Sequence, residues 1–138
     1  MIVITIPIYY TKVFKRKADK TFLCSLNWYR NAFYQEQNKV KIYFHNLIKN
    51  QLRGINPLPG QYKITYKYYF KNPASDLANV TPMCSKWVND TLQELKLVPN
   101  DNVQYLVEEL HQVAKRDTVN PRCVVIIEPY TPSEESNG

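Results

Sequence analysis

Glycine is scarce in this chain of 138 residues, at three positions, and no Gly-rich phosphate-cradling loop can be built from them. Histidine occurs twice, as His45 and His111, each isolated, and no Ser/His/Asp arrangement is supported. Both histidines are expected to be structural. Cysteine is limited to Cys24, Cys84 and Cys123, widely spaced and in apolar contexts. Without a C-x-x-C pair, a zinc ribbon and a thioredoxin-like redox pair are excluded. The odd count fits reduced thiols buried as small hydrophobes. Long apolar runs are missing too. The longest, Cys123–Ile127, is far too short to span a bilayer, and Ile2–Ile8 is too short and too alternating for a signal peptide. The expectation is a soluble cytoplasmic protein with no membrane partner. Acids are almost absent from the first half. Residues 1–71 hold 13 Lys+Arg against Asp19 and Glu36, whereas residues 72–138 hold 5 basic and 10 acidic side chains.

What is present points to one folded domain. Apolar residues make up 44% of the chain, enough for a real core at this length. The net charge of +6 favours an anionic partner, with nucleic acid first and a membrane surface second. A basic balance also serves solubility alone.

Ile2–Ile8 reads as a strand with Ile2, Ile4, Ile6 and Ile8 on one face. A basic loop follows, carrying Lys12, Lys15, Arg16, Lys17 and Lys20. Asn27 is the expected cap of one long helix from Trp28 to Leu52, with Phe33, Val40, Phe44, Leu47 and Ile48 as its buried stripe. Gly54, Pro57, Pro59 and Gly60 mark a turn. Tyr62–Phe70 alternates as a strand. A second helix is expected with Thr81 as cap and Pro82 in its first turn, ending near Leu97, with Cys84, Val88, Leu92 and Leu95 facing the core. Val103–Glu109 and Arg122–Glu128 read as strands, and residues 110–117 are ambiguous. The polar tail from Pro129 is expected to be loose, which leaves residues 1–129 as the single domain and 130–138 as the tail. Without strict βαβ alternation, the fold class is α+β, a small mixed sheet packed against two main helices.

The chemistry rests on carboxylates and bases. Hard cations such as Mg²⁺ take carboxylate oxygens, and phosphodiester hydrolysis uses them to activate water and neutralise charge on the phosphate. Asp76 precedes a helix and Asp101 follows it, so they lie roughly 20 Å apart if both sit along one axis at ~1.5 Å per residue. Folded-back loops or a second subunit would close that gap. An Asp placed like Asp76 most often caps the helix. Lys86, Asp90 and Glu94 line one helical face, as a solvated charge ladder or as the wall of a cleft. Of the adjacent Glu108 and Glu109, a strand points only one into any site. Tyr9, Tyr10, Phe14, Trp28 and Tyr29 are interleaved with Lys12, Lys15, Arg16, Lys17 and Arg30, which suits phosphate neutralisation and base stacking. Packing of these rings against the first strand and helix is the competing role, and for Trp28 the preferred one.

Several short motifs occur in a fixed order. They are Ile6-Pro7-Ile8-Tyr9-Tyr10, then Leu26-Asn27-Trp28-Tyr29-Arg30-Asn31-Ala32, Asp76-Leu77-Ala78-Asn79, Lys86, Asp90-Thr91-Leu92, Asn100-Asp101-Asn102-Val103 and the strand Val124–Glu128. Together the order resembles the RusA family of Holliday-junction resolvases over about residues 1–129, and most nearly its phage-borne members that read D-L-A-N. The resemblance implies a RusA-like homodimer, carried by a phage or prophage and acting in the cytoplasm of a bacterial host. It would bind four-way or otherwise branched DNA and nick paired strands with Mg²⁺ or Mn²⁺. It assigns catalysis to Asp76, Asp101 and Lys86, and the metal to Asp76 and Asp101 with Asp90 as a replacement ligand. The DNA surface would carry Lys12, Lys15, Arg16, Lys17, Lys20, Arg30, Lys71 and Lys86. The chain departs from the pattern at Ala78, where the second Asp of D-L-D-N would stand, and at Ser85, where related chains carry Asp. Lys86 also follows Asn79 by seven residues instead of three. Asp90 is the candidate substitute, with Glu108 or Glu109 behind it. A non-catalytic junction-binding or single-strand-binding protein is the alternative, and a basic protein with no nucleic-acid role is the third reading.

Overall fold

The computed structural model describes residues 1–100 and 102–131. The elements run β1 (Ile2–Pro7), β2 (Tyr9–Lys12), β3 (Lys20–Leu23), α1 (Leu26–Asn31), α2 (Tyr34–Gln51), β4 (Tyr62–Phe70), α3 (Leu77–Glu94), β5 (Leu106–Arg116) and β6 (Arg122–Pro129). Four strands form a mixed sheet in the order β1-β6-β4-β5, and β2 and β3 form a separate hairpin. Among the described residues only the β4–β5 pair is parallel, with α3 as its crossover. The architecture is α+β, as expected, with three helices among the described residues.

Alternation along the strands decides which face is covered. Tyr62, Ile64, Tyr66, Tyr68 and Phe70 are buried, while Lys63, Thr65, Lys67 and Tyr69 between them are half-exposed. Ile4 and Ile6 of β1 and Cys123, Val125 and Ile127 of β6 join the buried set. Val40, Phe44 and Ile48 of α2 and Met83, Cys84, Trp87 and Val88 of α3 complete the same core. Phe44 and Trp87 stack at 4.2 Å between ring centres, locking the two helices together. Each such large side chain contributes about 1.5–3 kcal/mol by leaving water.

The first helix expected from the sequence is broken in two. Ser25, not Asn27, caps α1, its Oγ accepting from the Trp28 N–H at 3.1 Å. The chain then turns extended at Ala32 and Phe33 before α2 begins. Side-chain amides make the break stable by taking carbonyls that a continuous helix would use. Asn31 Nδ2 donates to the Asn27 carbonyl, and Gln37 Nε2 donates to those of Tyr29 and Ala32. Phe33 therefore leaves the core and is 83% exposed.

The next helix starts earlier than Thr81. Asp76 caps α3 and Pro82 lies inside it. A proline there has no N–H for the Ala78 carbonyl, a local loss outweighed by the buried stripe on either side. The helix stops at Glu94, with Leu95 as C-cap and Lys96 in the left-handed region at φ 57°. Leu97 N–H donates to the Leu92 carbonyl and Lys96 N–H to that of Gln93, a Schellman closure over two buried leucines. Val103 lies in a turn rather than a strand. Asn102 holds that turn, its carbonyl accepting from Tyr105 and Leu106 N–H and its Oδ1 from Gln104 N–H. β5 starts only at Leu106 and continues through the ambiguous segment to Arg116. Pro129 ends β6, and Tyr130 N–H donates to the Gln61 carbonyl, so the tail is anchored at its start. Residues 132–138 lie outside the described residues.

Candidate functional site

Five of the thirteen basic residues of the first half lie on the β2–β3 hairpin. Lys12 and Lys20 face each other across it, and Lys15, Arg16 and Lys17 are exposed in the connecting loop. Aromatic contacts fix the hairpin to the core. Tyr10 meets Phe22, Phe22 stacks on Trp28 at 5.2 Å, and Trp28 lies 6.5 Å from Trp87. Trp28 thus packs, as its sequence context suggested. Glu36 joins hairpin and helices. It accepts from Lys12 Nζ at 2.7 Å and from Trp28 Nε1 at 2.9 Å, and these bonds hold its carboxyl below the usual range. Lys17 sits over the Phe14 ring at 4.3 Å. A cavity of about 580 Å³ opens between this loop and the start of α2, lined by Tyr10, Lys12, Phe14, Phe33, Glu36 and Lys39. The exposed Phe33 and Tyr34 stand at that start, 83% and 76% open to solvent. The sequence reading missed them as surface groups, since helical spacing placed Phe33 in the core.

The D-L-A-N turn and the L-N-W turn meet. Asp76 Oδ1 accepts from Ala78 N–H at 3.0 Å, closing the cap. Asn79 Oδ1 accepts from the Asn27 N–H at 3.1 Å, tying the first turn of α3 to the first turn of α1. Arg30 projects exposed from the same short helix. Lys71 is exposed just after β4 and lines a second cavity of about 370 Å³ with Tyr9, Asn72, Arg116 and Thr118. Lys15, Arg16, Lys17, Lys20, Arg30 and Lys71 make no ion pair among the described residues.

The other carboxylates serve packing contacts. Asp90 pairs with Lys86 at 3.6 Å, an i,i+4 contact with both side chains nearly half-exposed. Glu94 leaves that ladder and binds Lys49 at 2.7 Å and His45 Nδ1 at 3.2 Å, linking α3 to α2. Burial pulls the His45 pKa down, and Glu94 opposes that shift. Glu108 lies beside Lys63 on the open face of the sheet. Glu109 lies on the helix face, where it accepts from Ser85 Oγ and contacts His111 Nε2 at 3.3 Å. His111 Nδ1 meets Tyr68 Oη at 2.8 Å and the ring stacks on Tyr66 at 4.4 Å. Ser85, Glu109, His111 and Tyr68 therefore form one polar chain. Its only sequence signal was the shared period of Glu109 and His111 beside Tyr66 and Tyr68.

Asp76 and Asp90 are fourteen residues apart on α3, about 21 Å along its axis, and do not meet within one chain. Asp101 lies outside the described residues. Its neighbour Asn100 accepts from Tyr62 Oη at 3.2 Å, at the start of β4, whereas Asp76 follows the far end of that strand. Among the described residues no three His, Cys, Asp or Glu side chains stand close enough to hold a metal ion. Asp76 has no hydrogen bond to its second carboxylate oxygen among the described residues and stands at the turn that meets α1. Among the described residues no helix is long and apolar enough to cross a membrane. No family model matches the chain, and no curated protein matches it.

Proposed function

We propose that the protein is a structure-selective DNA endonuclease that binds four-way or branched DNA through the hairpin face and nicks it next to Asp76. The observation that carries this reading is the meeting of Asp76–Asn79 with Asn27–Arg30 beside the basic hairpin. A carboxylate with one unbonded oxygen lies at the start of the helix that meets α1, the helix that carries the exposed Arg30. Lys15, Arg16, Lys17, Lys20, Arg30 and Lys71 would contact phosphates, and Phe33 and Tyr34 would stack on unpaired bases at the branch. Mg²⁺ or Mn²⁺, when bound, would supply water activation and charge neutralisation. Asp76 of one copy and Asp101 of a second would hold it. Asp90 is too far along α3 in the same chain to join them. Homodimerisation belongs to the same reading, since a symmetric pair nicks two strands symmetrically.

A second reading, junction binding without cleavage, is favoured by the separation of Asp76 from Asp90 and by Ala78. Binding of a labelled four-way junction across a salt series tests both. Six phosphate contacts predict a slope of log K against log salt of about −5. A slope near zero would remove both readings. Binding with that slope but no nicking in either metal would establish the second.

A further inference from the structure

The cavity at the end of β4 is lined by residues that carry hydrogen-bond donors and come from separate segments. Tyr9 belongs to β2, Lys71 and Asn72 to the loop after β4, Arg116 to the last position of β5 and Thr118 to the β5–β6 turn. No carboxylate lines it. The donors are also uncommitted. Among the described residues Tyr9 Oη, Lys71 Nζ, Asn72 Nδ2, the Arg116 Nη groups and Thr118 Oγ1 make no hydrogen bond or ion pair.

The backbone places Arg116 at this cavity. It pairs with Phe70 and lies on the helix face, whereas Lys115 pairs with Tyr69 and lies on the open face. Arg116 Nε donates to the Lys71 carbonyl at 3.1 Å, which fixes the guanidinium and leaves its Nη groups for another acceptor. The acid next in sequence does not neutralise it. Asp117 Oδ1 accepts from the Val119 and Asn120 N–H groups, and its Oδ2 accepts from Arg122. Two cations therefore line one cavity without a counter-charge. Like charges held together repel, and an anion between them removes that cost. The donor set also selects the anion. A carboxylate has two oxygens, and one guanidinium fork occupies both. A phosphate offers oxygens on several sides, which suits a fork, an ammonium and neutral donors together.

We propose that this cavity is a phosphate site, with Arg116 and Lys71 as its cations. The phosphate belongs to a nucleic-acid backbone or is a free phosphate group. Asn72 precedes Asp76 by four residues, about 15 Å of chain at most, so a backbone phosphate held here orders a strand beside the proposed nicking position. The phosphate site stands apart from the DNA reading, and only its DNA source rests on that reading.

The test is an NMR titration of the full chain, once with a short DNA duplex and once with sodium phosphate at constant ionic strength. The duplex is expected to move the Arg116 Nε–H and Asn72 Nδ2 signals, and phosphate to move them only at much higher concentration. Signals moved by phosphate and not by the duplex would support the site and withdraw its DNA source. Signals still in both arms would overturn the proposal, and duplex binding seen elsewhere on the chain would then leave the DNA reading standing. Arg116→Gln and Lys71→Gln are each expected to weaken the ligand that binds about tenfold. For the duplex each should also flatten the salt slope by about one. Lys71→Gln keeps the carbonyl that anchors Arg116, so its loss reads the ammonium alone. Lys115→Gln removes the same charge one residue away on the other face and is expected to change neither quantity. Equal losses in Lys115→Gln and Arg116→Gln would overturn the proposal, because net charge alone would then account for binding.

Discussion

Asp76 has two jobs in this account, and substitutions separate them. Its side chain caps α3 through Ala78 N–H, and its other oxygen is free. Asparagine caps about as well as aspartate, whereas alanine does not. Asp76→Ala is therefore expected to cost about 1 kcal/mol of stability, and Asp76→Asn close to nothing, by urea unfolding. Loss of nicking in Asp76→Asn with unchanged stability would place the effect in the chemistry. Glu36 gives a second residue-level test. Its folded pKa is lowered, first by the Lys12 bond and then by that from Trp28. A lowered carboxyl contributes stability that is present above the unfolded value, about 4.3, and is lost as pH falls through the folded value. The unfolding midpoint should drop below about pH 4 more steeply in the native chain than in Glu36→Gln. At pH 7 that variant should cost less than about 1 kcal/mol, because the Lys12 pair is partly solvated. Equal slopes in the two proteins would show that Glu36 does not hold the hairpin in this way.

At the scale of elements, Lys96 carries a backbone cost. It occupies the left-handed position after α3, where a Cβ is disfavoured and glycine is preferred. Lys96→Gly should raise stability by about 0.5–1 kcal/mol in thermal or urea unfolding, and a loss would mean that the side chain has a role of its own. The same terminus shows how far the sequence could be read. Strand alternation was legible at β1, β4 and β6, because a period of two with buried Ile, Tyr and Val admits one face only. The α+β class followed from that. Helix ends were less legible, since they depend on which of several side chains reaches a free N–H. Ser25 won over Asn27, Asp76 won over Thr81, and Asn31 with Gln37 broke a helix whose spacing ran on unbroken. The basic hairpin was visible as composition but not as a hairpin. The polar chain from Ser85 to Tyr68 was legible only as the shared period of Glu109 and His111, because its members come from three elements joined only by the fold.

For the whole molecule, the charge split of the sequence becomes a spatial arrangement. The basic hairpin and Arg30 lie beside the start of α3, while Asn100 lies by the start of β4 at the opposite end of the sheet. Cleavage of a synthetic four-way junction with mapped products, in Mg²⁺ and in Mn²⁺, is the most direct measurement. The account predicts paired, symmetric nicks in the native protein and none in Asp76→Asn, with junction binding retained. Nicking that persists undiminished in Asp76→Asn would contradict it.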